Sequence, residues 1–498
     1  MSIHAQLSEE ALAKLHAQKR NSTFASIVIS ILTLVLIGLV LGLFLLDTFV
    51  RETPTIVTYA ASLNEDQQVD QRKVTTQLQR RPSSPSSAQA KVIAAQTASP
   101  TAVPVPEVEV VTPSTEFGDS NDFGSGWGDD AGSGGGFGGI PQTMRQRCSK
   151  EDRLARLKET GGTPECEDAV EKGLEWLMRT QNSDGSWTQD GYRVGYTGLG
   201  LLAYLGRCET PLSEKYGESC LRAITYLVDN GMKNNGRLSF NPADSHWPYD
   251  HSIATYALAE AYTFCKQLNI HVPNLAEVVQ KAGQFIINNQ HPSGGWDYSY
   301  NKTPRRSGDT SIVAWHLQAL KALEYTGLQF EGLVRSANRG VDYMESMQNR
   351  NGGFGYASPN APVGGVSYFT MTGGGVLSLQ LWGKGNQSAV RQGARYIEQN
   401  SKFDYNGPHS DLYAHYYEAQ AMLNRGGEQW RKYNAMFRPQ LLDNQNPDGS
   451  WKAPNGGSTN GIQAVAPRFV TNAHYRTTLC ILMLETYYRF LPGTGGAR

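Results

Sequence analysis

The strongest constraint on this chain is a unit that recurs four times: an amphipathic helix ending in Gln, a short polar turn containing Gly, then an aromatic residue. It is read in AVEKGLEWLMRTQNSDGSW (169–187), KAGQFIINNQHPSGGW (281–296), NRGVDYMESMQNRNGGF (338–354) and FRPQLLDNQNPDGSW (437–451). Gln181, Gln290, Gln348 and Gln445 leave gaps of 109, 58 and 97 residues, and the closing aromatics are Trp187, Trp296, Phe354 and Trp451. Two gaps are nearly double the third, which predicts a degenerate unit inside each. CLRAITYLVDNGMKNNGRLSF (220–240) and QGARYIEQNSKFDYNG (392–407) keep the helix and the glycine turn while losing the Gln. Six units of roughly 45 to 60 residues result, the mark of a repeat architecture.

Each unit carries a second helix, richer in apolar and small residues: VGYTGLGLLAYLG, YDHSIATYALAEAYTFC, DTSIVAWHLQALKALEYTG, YFTMTGGGVLSLQLWG, DLYAHYYEAQAMLNRGG and HYRTTLCILMLETYYRF. A helix apolar nearly all round is buried on both faces. The second helices should therefore form an inner ring wrapped by the amphipathic ones. Closure is expected in preference to an open solenoid, because no capping helix follows the sixth unit.

The helix-Gln-turn-Gly-Trp unit resembles the repeat of squalene-hopene cyclases and of protein prenyltransferase β-subunits, over about residues 164–491. The resemblance implies an all-α (α/α)6 toroid with a central cavity, an architecture shared by complement-type thioester domains. The Gln is expected to bridge backbone groups left unpaired at helix ends, and the aromatic to pack against the neighbouring unit. Asp184-Gly185 and Asp448-Gly449 read as turn chemistry, with Gly at positive φ.

The toroid should occupy residues 146–498, after a tail (1–23), a membrane helix (24–46) and a tether (50–145). FASIVISILTLVLIGLVLGLFLL is 23 uncharged positions, about 35 Å as a helix and enough to span a bilayer core of roughly 30 Å. Lys14, Lys19 and Arg20 precede it and only Arg51 follows closely. That bias puts the N-terminus in the cytoplasm and the toroid outside. RRPSSPSSAQ, ASPTAVPVPEVEVVTPS and the glycine-rich FGDSNDFGSGWGDDAGSGGGFGGIP read as a spacer. A formal net charge of -1 offers no basic footprint for nucleic acid. The six cysteines contain no C-x-x-C pair. Cys208–Cys220 and Cys148–Cys166 are candidate disulfides, the alternative being six free thiols in a helical core.

Each chemistry known for the resembling families leaves a mark that can be sought. An alkene-protonating cyclase needs an Asp-x-Asp-Asp cluster, which this chain lacks. Asp250, Asp309 and Asp411 each stand alone at a presumed inner-helix start. A prenyltransferase zinc site needs Asp, Cys and His; His415 stands near the His place, but Ser311 stands where the Cys would be. Gly426-Gly427-Glu428-Gln429 has Gly in place of the thioester Cys. No metal and no cofactor are therefore expected.

What remains is a set at or near the inner-helix N-termini: Asp250, His251, Asp309, Asp411, His415, His474, Tyr475 and Arg476, with Trp247, Tyr249, Tyr368, Tyr413 and Tyr416 as aromatic walls. Helix N-termini with Arg and His suit an anionic head group, and the aromatics an apolar chain. Each Asp read alone is a helix N-cap. Two functions follow as expectations. The first is a membrane-anchored module binding a hydrophobic, isoprenoid-like ligand or a protein partner. The second is a cyclase-like enzyme using Asp309 and Asp411 as acids, with carbocations held by the aromatic lining.

Overall fold

Six amphipathic helices bury one stripe each: α2 (Pro164–Thr180), α4 (Gly217–Lys233), α6 (Leu275–Asn288), α8 (Leu333–Ser346), α10 (Ser388–Asn400) and α12 (Gly427–Leu442). Six more bury nearly every residue: α3 (Arg193–Gly206), α5 (Trp247–Gln267), α7 (Thr310–Tyr325), α9 (Thr372–Leu381), α11 (Leu412–Arg425) and α14 (Ala473–Leu484). Each of these inner helices packs on the next, and α14 returns to α3, so the ring is closed. A short entry helix α1 (Lys150–Thr160) precedes the ring, α13 (Ala466–Thr471) precedes α14, and α15 (Thr486–Arg489) follows it. The all-α closed double ring expected from the repeat is thus present. This computed structural model describes residues 147–489, apart from 189–190, 304–305, 364–367 and 460–465, and also Thr55–Ile56. The expected membrane helix (24–46) and the tether, bar those two residues, lie outside the described residues. Among the described residues no helix is long and apolar enough to cross a membrane.

The repeat residues are the joints of the outer ring. Each Gln amide donates twice, once to the Gly carbonyl of its own turn and once into the first turns of the next outer helix. Gln181 bonds Gly185 O and Ser219 O at 2.9 and 3.0 Å. Gln290 bonds Gly294 O and Ser336 O at 2.7 and 2.8 Å. Gln348 bonds Gly352 O and Ala389 O at 3.1 and 2.8 Å. Gln445 bonds Gly449 O and, closing the ring, Ala169 O at 3.1 and 2.8 Å. The indole N–H of Trp187, Trp296 and Trp451 donates back to Leu177, Ile286 and Leu441, carbonyls in the last turn of its own helix. The ring itself packs on a glycine of the neighbouring unit, as Trp296 does on Gly340 and Trp451 on Gly173.

The turn glycines are needed twice over. Gly449 has φ +93°, and a Cβ there would lie 2.2 Å from Lys172 O of the next outer helix. In the degenerate second unit Gly236 (φ +87°) makes the same approach to Lys281, while buried Leu238 fills the place of the closing aromatic.

The cysteine expectation is corrected. Cys148 pairs with Cys208, with Cα atoms 4.8 Å apart and a sequence separation of 60, while Cys166, Cys220, Cys265 and Cys480 are buried thiols. Neither short-range pairing forms, because α1 packs against α2 and α15 and brings its N-terminal end beside the end of α3. Cys220 instead sits in the first turns of α4 with its Sγ on Glu209 O at 3.5 Å.

Gly449→Ala should destabilise the fold by roughly 3 kcal/mol, combining left-handed strain with overpacking. Gly457→Ala, at φ +86° with nothing within 4 Å, carries the strain alone and should cost about 1 kcal/mol. Urea denaturation of the two variants reads the difference directly.

Candidate functional site

The inner helices begin at one end of the ring, as contacts between their first turns show. Asp250 Oδ1 of α5 accepts the Gly195 amide of α3 at 3.2 Å. The Tyr249 hydroxyl of α5 meets Ser311 Oγ of α7 at 2.5 Å, and the Tyr413 hydroxyl of α11 donates to Ser311 O at 3.2 Å. The Tyr196 and Tyr475 rings of α3 and α14 lie 5.6 Å apart. This end is the mouth.

Both expected acids are N-caps here. Asp309 opens α7, taking the Ser311 amide at 3.1 Å and the Ser311 hydroxyl, and pairs with the Arg306 guanidinium at 2.7 Å. Burial raises its carboxyl above the usual range, with Ser311, Tyr356 and Arg306 opposing. Asp411 opens α11, taking the Tyr413 and Ala414 amides at 3.1 and 3.2 Å on Oδ1. Its Oδ2 has no hydrogen-bond partner, although the residue is 7 % exposed. Burial pushes its pKa up to about 7; the Ala414 amide and His415 oppose the rise and Glu418 adds to it.

A second cluster at the mouth was not anticipated. Half-buried Tyr249, Tyr298 and Tyr356 form a hydroxyl chain from Ser311, with Tyr249 to Tyr298 at 3.4 Å and Tyr298 bonded to Tyr356. Arg306 lies over the Tyr298 and Tyr356 rings, 4.9 and 5.9 Å from their centroids, and pairs with buried Asp297 at 3.0 Å as well as with Asp309. Tyr249 was an expected wall residue on α5, whereas Asp297, Tyr298, Arg306 and Tyr356 occupy the segments between turn and inner helix. The only signal for them was the tyrosine spacing just after Trp296 and Phe354.

The other expected site residues turn into the layer between the rings. His251 takes the Leu238 amide on Nδ1 and donates from Nε2 to Ala282 O, while Trp247 packs on Phe285 and Tyr300. His474 donates from Nε2 to Tyr196 O and stacks on Trp187. Burial lowers His251 to about 3 and His474 to about 4, so both are neutral. His415 meets the Tyr433 hydroxyl at 2.9 Å and Lys402 O at 3.2 Å, stacks on Phe403 and faces Glu418 at 3.4 Å. Arg476 donates to Trp451 O and Val470 O. Tyr368 donates to Glu418.

Side chains cross the middle of the ring. Tyr416 of α11 stacks on Trp315 of α7 at 5.2 Å, and Gln318 reaches Gln420 at 3.4 Å. α7 and α11 are separated by α9, whose glycines let them meet: a Cβ on Gly373 would lie 2.6 Å from the Glu418 amide, and one on Gly374 would lie 3.3 Å from the Ala314 methyl. Among the described residues no three His, Cys, Asp or Glu side chains converge as metal ligands.

No protein-family model and no curated protein matches the chain. Similar solved structures include the apo type II terpene cyclase MstE from Scytonema, 14% identical over 66% of this chain and 99% of that one, TM-score 0.44. Another is the GH76A α-1,6-mannanase from Salegentibacter sp. HEL1_6, 11% identical over 65% and 98%, TM-score 0.46.

Asp411 yields a pH prediction. Its folded pKa of about 7 lies above an unfolded value of about 3.9. Its contribution to stability is therefore complete below pH ~4 and lost as pH rises towards 7. Asp411→Asn keeps a capping oxygen but cannot ionise. The variant should match the wild type near pH ~4 and exceed it by on the order of 2–4 kcal/mol at pH ~8 in urea denaturation.

Proposed function

We propose that the protein is a binding module, a toroid held at the membrane by residues 24–46, which receives an apolar ligand with a hydrogen-bonding end at its tyrosine mouth. The observation that carries this reading is the pairing of a side-chain-crossed ring centre with the unpartnered Oδ2 of Asp411 at the mouth. Trp315, Tyr416, Gln318 and Gln420 occupy the path a polyene would thread. Asp411 Oδ2 is left as a buried oxygen without a partner, which costs free energy until a donor arrives. The half-buried Tyr249, Tyr298 and Tyr356 supply an aromatic surface at the same end of the ring. An isoprenoid alcohol or amine matches that chemistry. The Cys148–Cys208 bond supports placement outside the cytoplasm, since disulfides persist in oxidising compartments.

The cyclase reading draws support from burial raising the Asp411 carboxyl to about 7, which keeps part of it protonated at neutrality. Against it, protonating an alkene demands a strong acid, and burial without stacked carboxylates makes Asp411 a weaker one. The two readings part in one experiment. The detergent-solubilised full chain is incubated with squalene and with a long-chain isoprenoid alcohol, then extracted for mass spectrometry. The alcohol should be retained and returned unchanged, and Asp411→Ala should weaken its retention about tenfold, the worth of one buried hydrogen bond. A cyclised product that disappears in Asp411→Asn would replace the binding reading with the enzymatic one.

A further inference from the structure

We propose that the Cys148–Cys208 disulfide is a latch that holds Arg147 as a plug in the end of the inner ring opposite the mouth, and that a dithiol reductant opens that end. Arg147 is 1% exposed. Its guanidinium reaches Glu260 at 3.5 Å and lies 5.3 Å over the Phe264 ring, both on the last turns of α5. Arg489, from the end of the sixth unit, bonds the same Glu260 at 3.1 Å and Tyr256 at 2.9 Å. Beneath them Glu485 is wholly buried with neither carboxyl oxygen hydrogen-bonded, and a Cβ on Gly206 would lie 1.8 Å from its Oε2. The plug therefore separates water from a carboxyl group that accepts no hydrogen bond within the protein.

The entry segment is fastened at two independent places. At its far end Thr160 O and Gly161 O accept from Trp430 and Asn434 of α12, at 2.6 and 2.7 Å. At its near end Arg153 bonds Arg147 O at 2.8 Å and Glu167 at 2.7 Å, and the disulfide ties Cys148 to the residue just past α3. Losing the disulfide leaves only reversible ties at the near end, Arg153 on Arg147 O and Arg147 on Glu260, so residues 147–149 can lift while the far fastening keeps the ring closed. Both bonded cysteines are half-buried and within reach of a reductant. The Cys220 thiol is buried, and burial raises it, which makes it a poor nucleophile for exchange with the bond. Opening breaks one S–S bond. The dithiol supplies two electrons and two protons, leaves two cysteine thiols and becomes a disulfide itself.

The test is carbodiimide labelling of carboxyl groups in the detergent-solubilised full chain, mapped by peptide mass spectrometry before and after dithiothreitol and alkylation. Labelling of Glu260 and Glu485 should rise by roughly tenfold or more on reduction, as expected for a local opening. Asp309 and Asp411 at the mouth should stay unlabelled. Cys148→Ser should give the reduced pattern with no reductant. Unchanged labelling after verified reduction overturns the latch. So does equal labelling of all four groups, which would make the bond a staple of the whole fold.

Discussion

A two-pronged hydrogen bond from a glutamine amide is the joint on which the rest of this fold depends. An outer helix that ends leaves its last carbonyls without partners, and a ring of hairpins needs something to set the angle between neighbours. One amide N–H of each Gln closes its own turn and the other reaches the next outer helix, so a single side chain satisfies the end and fixes the angle. Gln445 on Ala169 is the same joint made across the seam between last and first units. With the outer ring closed, the inner helices are fully enclosed and the polar groups of their first turns must find partners within the protein.

That enclosure explains why so many polar residues near the mouth are consumed structurally. Asp309 and Asp411 cap helices, Asp250 holds α5 to α3, and His251 and His474 bond backbone carbonyls. Such groups hold the ends of the inner helices together, and only what is left over is free for a ligand. Among the described residues that remainder includes the tyrosine chain with Arg306 and one oxygen of Asp411.

The ring was legible because its signal is periodic. Four glutamines at compatible spacings fixed the hairpins, and the doubled gaps located the two degenerate units. Direction within the inner ring was not legible. A helix buried all round has no polar face to set its phase, so Tyr249 facing the mouth and His251 facing α6 look alike in sequence. The disulfide was hidden for a related reason: α1 carries no repeat signature, and only its packing brings Cys148 to Cys208. Arg306, Asp297, Tyr298 and Tyr356 lie between the helices, where the helical period gives no guide and only the two tyrosines follow their closing aromatics at the same spacing.

The two ends of the ring present opposite ends of the helix dipoles. Parallel inner helices present their positive dipole ends at the mouth and their negative ends opposite. Carboxylates suit the first end, and Asp309 and Asp411 are placed there. The far end favours cations, and Arg147, Arg207 and Arg489 gather there. Glu167 and Glu260 are buried among those arginines and paired with them. Glu485, at the end of α14, accepts no hydrogen bond, and burial lifts its carboxyl well above the ordinary range against the pull of Arg489 and Arg147. Burial and dipole both disfavour its charged form, so the group is held neutral only while water is kept out. The segment that excludes water here is the one fastened by the disulfide.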